Sequence, residues 1–208
     1  MPQTVVAETI HGIILAAEDR AIQLNEKGEE ISLSLKRLLP LSSQCALIAA
    51  GAPEGVDMAN SLKNFIQGEG VKDVQDLYGA ALAFLSGEYE RFMRKKCEIL
   101  PIDPIQYVSF ILAGKTDRDQ AQPFRLYYLW TKKKLPQLDG EEISSAFALP
   151  RRMGLEYQLN QLSKENAPLE AILGKMKEGI EKLKAQGEVS SSVSWARITS
   201  GGYETLKV

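Results

Sequence analysis

The chain has 208 residues, of which 44% are hydrophobic and 25% charged, and its formal net charge is −2. This composition is typical of a globular protein and argues against extended disorder, and the length predicts a single domain spanning residues 1–208. The near-neutral charge gives no overall basic field, and no apolar run approaches the roughly 20 residues of a membrane span. We therefore expect no nucleic-acid partner and no membrane partner.

The two cysteines and the single histidine are too few and too far apart in the sequence to indicate a metal site. Cys45 and Cys97 lie far apart in the sequence, and His11 is the only imidazole. Zinc sites need several Cys or His ligands, so we predict no metal and no cofactor. Reduced thiols and the lack of a signal-peptide pattern at the first residues predict a cytoplasmic protein.

The first 50 residues carry strand patterns. Residues 4–10 and 13–17 are mainly apolar, and His11-Gly12 between them marks the tight reversal of a hairpin. Residues 31–35 alternate between apolar side chains and serine, which predicts a half-buried strand. The small and apolar run at 45–50 predicts a strand that is buried on both faces.

The rest of the chain adds helices and two further pairs of strands. Helical periodicity covers residues 58–66 and 74–93, and the second stripe is wide enough for either core packing or a partner contact. Further strands are predicted at 107–114, 124–130, 192–198 and 203–206, and further helices from near Pro150 and from Pro168 to Gly187. Strands and helices occur in blocks, which predicts an α+β fold of two antiparallel sheets faced by pairs of helices.

Familiar catalytic and binding motifs are missing. The sequence has no phosphate-binding glycine-rich loop and no G-x-S-x-G. The acidic pairs Glu141-Glu142 and Asp117/Asp119 are predicted to lie solvated in polar loops. The basic runs 94–96 and 132–134 are predicted to be solvated ends of elements.

Several segments nevertheless carry a family pattern. Residues 4–7 are followed by a Gly-led strand from Gly12 that ends in Glu18-Asp19-Arg20-Ala21. Next come Lys36-Arg37-Leu38-Leu39-Pro40-Leu41 and Ala49-Ala50-Gly51, and later Phe110–Asp117 and Leu126–Leu129. This order resembles that of a proteasome β-type subunit. The resemblance implies the four-layer αββα sandwich of N-terminal-nucleophile hydrolases, with two antiparallel sheets between helix pairs, and assembly into a ring or a dimer.

The resemblance also implies where a catalytic site would lie. In that family an N-terminal threonine attacks the peptide carbonyl and its own α-amino group helps to take the proton. An aspartate and a lysine support it, and a backbone N–H at a glycine stabilises the oxyanion. In the register set by Gly12 and Arg20, these positions fall on Pro2, Glu18, Arg37 and Gly51.

Three of these four positions depart from the family pattern. Pro2 has no hydroxyl, Glu18 is one methylene longer than aspartate, and Arg37 keeps its proton where a lysine can lose it. Phe147–Pro150 and Gly187–Ser191 stand where the family carries supporting hydroxyls. The resemblance therefore implies a non-catalytic structural or binding subunit that self-assembles and can take a protein or peptide ligand.

Other functions remain open at this stage. Removal of the first three residues would make Thr4 the nucleophile of an active threonine endopeptidase. The interval from Thr4 to Glu18 is two residues shorter than in the family, or about 7 Å along a strand. An enzyme could instead use the Pro2 amine after removal of Met1, and an unrelated α/β or α+β protein could share the strand pattern by chance.

Overall fold

The computed structural model of the protein describes residues 2–24, 30–99, 107–131, 137–190 and 192–208. Across these residues the chain forms four helices and twelve strands, and every strand pairing is antiparallel. The strands are β1 (Thr4–Thr9), β2 (Gly12–Glu18), β3 (Arg20–Leu24), β4 (Glu30–Ser34), β5 (Leu38–Pro40), β6 (Cys45–Gly51), β7 (Val108–Lys115), β8 (Phe124–Thr131), β9 (Leu138–Ile143), β10 (Ala146–Leu149), β11 (Val193–Thr199) and β12 (Gly202–Leu206). The helices are α1 (Glu54–Glu69), α2 (Val74–Ile99), α3 (Met153–Lys164) and α4 (Leu169–Ala185). The predicted α+β class with antiparallel sheets is confirmed.

The strands form two five-stranded sheets and one two-stranded sheet. The first sheet has the order β10-β1-β2-β11-β12, the second has the order β5-β6-β7-β8-β9, and β3 pairs with β4. The predicted hairpin at His11-Gly12 is present, since Thr9 pairs with Gly12 across the β1–β2 turn. None of the helices in the described part of the chain has the length and apolar content of a membrane span.

Buried apolar side chains form three clusters that follow from the two-residue period of the strands. Along β1, Val6 contributes to the cluster between the two large sheets, whereas Val5 and Ala7 contribute to the cluster under α3 and α4. A third cluster joins α1 and α2 to the second sheet. Because β6 faces two of these clusters, residues 45–50 are buried on both faces, which confirms the prediction for that run.

Helix α2 contributes to the core. Val74, Leu77, Ala81 and Leu85 are all inaccessible to solvent and pack in the cluster between the helices and the second sheet. Of the two interpretations of its wide apolar stripe, core packing therefore accounts for these residues.

Strand β4 differs from its prediction. Residues 31–34 form a strand, but all four are exposed, and Ile31 and Leu33 each retain 43% of their accessible surface. The prediction of a half-buried strand is therefore wrong. The period of two indicates two unlike faces, but it does not say whether another layer covers one of them.

The segment from 138 to 153 also differs from expectation. Glu141 and Glu142 lie in β9, paired with β8, so their assignment to a loop is wrong. Such charged residues are common on edge strands, where they discourage pairing with another chain. Strand β10 was not predicted; its pairing with β1 keeps the chain extended to Leu149, and α3 starts only at Met153. The predicted basic run at 132–134 lies outside the described residues.

Gly12→Ala tests the β1–β2 turn. Gly12 has a φ of +150°, and a Cβ there would lie 2.4 Å from the carbonyl oxygen of Ile198 and 2.9 Å from Cδ1 of Leu169. We expect the free energy of unfolding, measured by urea denaturation, to fall by roughly 2–4 kcal/mol. The control is Gly68→Ala in α1, where a Cβ meets nothing within 4 Å, and a gain of roughly 0.5–1 kcal/mol is expected. Equal stability of the two variants would contradict this packing.

Candidate functional site

The start of β1 is fixed by the residue that follows Pro2. The backbone N–H of Gln3 donates to Oε2 of Glu18 at 2.9 Å, and its carbonyl oxygen accepts from the Glu18 N–H at 2.8 Å. Its side-chain amide donates to the carbonyl oxygens of Thr4, Leu149 and Pro150, each at 3.1 Å. Pro2, the position that matches the family nucleophile, therefore precedes a buried and fully hydrogen-bonded residue.

Thr4 lies inside β1. It pairs with Ala17 of β2 and Leu149 of β10, and only 1% of its surface is exposed. Its hydroxyl is buried and has no hydrogen-bond partner among the described residues. In this position Thr4 is an internal strand residue, and neither Glu18 nor Arg37 is hydrogen-bonded to its hydroxyl.

Glu18 ends β2 with a carboxylate that is completely buried. Oε2 accepts from the Gln3 N–H, and Oε1 accepts from the Ser190 N–H at 2.8 Å. The Arg20 guanidinium lies 3.1 Å from the same Oε1. Because backbone N–H groups and a guanidinium occupy both oxygens, the carboxylate ties β1, β2 and the segment before β11 to one point.

Arg37 is the second buried charge at this place, with 1% of its surface exposed. Its Nε donates to the Arg20 carbonyl oxygen at 3.1 Å, and its Nη1 donates to the Ala49 carbonyl oxygen at 3.0 Å. Burial lowers the pKa of the guanidinium, and the nearby Glu18 and Asp19 carboxylates oppose that effect. The fork of donors thus stabilises backbone carbonyls on two different segments, a geometry that a lysine ammonium does not reproduce.

Gly51 ends β6 for a reason of backbone packing. Its φ is +85°, and a Cβ there would lie 2.3 Å from the Tyr107 carbonyl oxygen. Any other residue would both adopt a left-handed conformation and collide with the neighbouring strand. The glycine is therefore required by the β6–β7 pairing, whatever its N–H does.

The contacts bring the positions predicted from the sequence together at one end of the two sheets. Pro2 leads into Gln3, which binds Glu18; the Glu18 carboxylate lies close enough to Arg37 to affect its pKa; and Arg37 binds Ala49, two residues before Gly51. The sequence did not indicate Gln3 as a site residue; Arg20 served only to set the register, and Ser190 was named only within Gly187–Ser191. A buried glutamine at a strand start has no periodic signature, and Ser190 contributes only its backbone N–H, which every non-proline residue carries.

The chemistry open to this arrangement is limited. The Glu18 carboxylate is bound by the backbone N–H groups of Gln3 and Ser190 and by the Arg20 guanidinium. The Arg37 guanidinium is bound to the carbonyl oxygens of Arg20 and Ala49. His11 is an exposed turn residue whose backbone N–H donates to Thr9. Within the described ranges, no three Cys, His, Asp or Glu side chains are grouped so that they could hold a metal ion.

Comparison with known proteins adds no identification. No protein-family model matches the chain, and no curated protein matches it.

Glu18→Ala tests the buried network. The substitution leaves the N–H groups of Gln3 and Ser190 and the Arg20 guanidinium without their acceptor. Breaking a buried charge network from one side costs roughly 3–5 kcal/mol of unfolding free energy, to be measured by urea denaturation. Glu204→Ala is the control, because its ion pair with Arg197 is exposed and its loss should change stability by about 1 kcal/mol or less. A Glu18→Ala variant as stable as the control would refute the structural role.

Cys45 is predicted to be unreactive in the folded protein. The thiol is buried in β6 and donates to the Lys72 carbonyl oxygen at 3.1 Å, and burial raises its pKa to about 12. Since the thiolate is the reacting species, iodoacetamide at about pH 8 should modify Cys45 only after denaturation. Peptide mass mapping before and after adding denaturant measures this. Rapid modification of Cys45 in the native protein would contradict this prediction and show that β6 opens.

Proposed function

We propose that this protein is a divergent proteasome-like subunit of the N-terminal-nucleophile class that serves as a non-catalytic structural or binding protein. The observation that carries the proposal is the buried network at the start of β1. There the positions that match the family's catalytic groups, Glu18 and Arg37, hold backbone together, and the nucleophile position is Pro2. Proline offers no hydroxyl to attack a carbonyl carbon.

The arrangement of the apolar clusters supports the family part of the proposal. One cluster lies between the helices α1 and α2 and the second sheet, one lies between the two large sheets, and one lies between the first sheet and α3 and α4. This order supports the proposed αββα sandwich. The block order of the elements, which the resemblance also implies, is consistent with it.

Loss of catalysis follows from competition for the same atoms. To assist a nucleophile, Glu18 and Arg37 would have to interact with its hydroxyl or amine. Both oxygens of Glu18 accept protein hydrogen bonds, and two donor groups of Arg37 point to carbonyl oxygens. Removing one member of a catalytic unit usually removes most of its rate, and here the nucleophile position and two supporting positions differ.

Self-assembly and location complete the proposal. We infer that the subunit forms a ring or a dimer, as the resembling family does, and that it binds a protein or peptide. A cytoplasmic location agrees with the free and buried Cys45 thiol. A mass above the 23.0 kDa of one chain in light scattering would support assembly, and a concentration-independent monomer would contradict it.

The test of function combines peptide turnover with the chemistry of the N-terminus. We expect no hydrolysis of fluorogenic peptides with hydrophobic, basic or acidic residues before the cleaved bond. We also expect no covalent label from a β-lactone directed at N-terminal threonine. Intact mass should show that the chain has not been cut before Thr4. The matched control is Thr4→Ala, which should behave like the unaltered protein.

Two results would overturn the proposal in different ways. Turnover that the β-lactone blocks and Thr4→Ala abolishes would establish a processed threonine endopeptidase. Trapping of a carbonyl compound on Pro2 by borohydride, together with turnover of that compound, would establish an enzyme that uses the Pro2 amine.

A further inference from the structure

A cavity of about 470 Å³ lies at the other end of β1, away from the buried network. It opens between the end of β1, the β9–β10 turn, the residues before β8 and the end of α3. Its lining includes Glu8, Thr9, Glu142, Ser145, Lys164 and Asn166. Ser145 and Asn166, with φ of 71° and 52°, are the two non-glycine residues with left-handed backbone among the described residues. Such backbone is more frequent at binding sites than elsewhere.

Glu8 brings to this cavity a carboxylate with one unpartnered oxygen. Its backbone is fixed, because its N–H donates to the Ser145 carbonyl oxygen at 2.7 Å and its carbonyl oxygen accepts from the Ser163 hydroxyl. Its Oε2 atom, by contrast, is buried and has no hydrogen-bond partner among the described residues. A buried polar atom without a partner is costly, so a ligand donor that reached this oxygen would add stability.

The cations near Glu8 do not supply that donor. Arg125 of β8 affects the carboxylate electrostatically, but its guanidinium is bound to Asp119 at 2.6 Å and to Glu142 of β9 at 3.1 Å. Lys164 of α3 also lines the cavity. The lining itself therefore carries two carboxylates, Glu8 and Glu142, and one cation, Lys164. Its surplus charge is negative when Glu8 is ionised.

We propose that this cavity binds a small organic cation through a primary ammonium group whose charge is neutralised by the Glu8 carboxylate. An ammonium carries three donors, which suits a cavity that is lined by a carboxylate with an unpartnered oxygen and also by Thr9 and Ser145. An anion would instead meet the surplus negative charge. The proposal does not rest on the proposed function, because the cavity lies at the opposite end of β1.

The protonation state of Glu8 should make cation binding depend on pH. Burial raises the pKa of Glu8 to about 7, and Glu142 adds to the effect. A hydrogen bond donated to the carboxylate by the Ser145 backbone and the charge of Arg125 oppose it. An ammonium ion binds the ionised carboxylate, so binding must release a proton when Glu8 starts protonated. Affinity for the cation should therefore rise with pH through this range and level off above it.

The experiment is calorimetric titration of the full chain with putrescine and with N-acetyl-lysine methylamide, at constant ionic strength. Acetate serves as the anionic comparison. We expect one saturable site for an amine, with affinity increasing about tenfold between about pH 6 and about pH 8. Proton release should be visible as a dependence of the heat on the buffer. Binding of only the lysine derivative points to a protein side chain as the natural source, and binding of putrescine points to a free amine.

Glu8→Gln tests the carboxylate while keeping its shape. The variant should lose at least tenfold in affinity together with the pH dependence. Glu69→Gln is the matched control, because Glu69 is an exposed residue at the end of α1 and its loss changes the net charge equally. Amide chemical shifts of the unaltered protein provide a second measurement, and those of Thr9, Ser145 and Asn166 should move on addition of the amine.

The proposal fails on any of four results. These are no saturable amine binding, affinity that falls as pH rises, equal affinity in Glu8→Gln and Glu69→Gln, or shift changes that avoid the cavity. If Glu8→Gln does not fold, the pH dependence and the shift map of the unaltered protein still decide between binding at Glu8 and binding elsewhere.

Discussion

The burial of two opposite charges, Glu18 and Arg37, is the constraint on which the start of the fold depends. Removing each ion from water costs several kcal/mol, and that cost is offset only when hydrogen bonds satisfy the buried groups. Here Glu18 accepts from Gln3, Ser190 and Arg20, and Arg37 donates to carbonyl oxygens of Arg20 and Ala49. The pair thereby fixes β1 and β2 of one sheet relative to β6 of the other.

This structural duty explains the proposed loss of catalysis better than the missing hydroxyl alone. A catalytic carboxylate and cation must keep atoms available for the substrate or the nucleophile. Here the atoms of Glu18 and Arg37 are hydrogen-bonded to backbone groups. Arginine suits the structural duty because its fork reaches two carbonyl oxygens at once. The charged groups at this end of the sheets therefore hold backbone segments together.

The two ends of β1 differ in how their carboxylates are satisfied. At Glu18 protein donors bind both oxygens, whereas at Glu8 one buried oxygen has no partner among the described residues. In the sequence Glu8 was only a strand position, whereas Glu18 was a position that matches the family site. The difference arises from what lies opposite: a backbone segment and Arg20 near Glu18, and near Glu8 an arginine already bound to two other carboxylates.

The sequence alone determined many of the local elements. Its periodicity identified the β1–β2 hairpin, the buried run of β6 and the long helix α2, because side-chain spacing of two or 3.6 is a local property. The tertiary structure decided that residues 31–34 stay exposed, that Glu141 and Glu142 join an edge strand, and that Gln3 and Ser190 bind Glu18. Burial and hydrogen-bond partners depend on segments far apart in the chain, such as Gln3 and Pro150, and no local pattern encodes which of them meet.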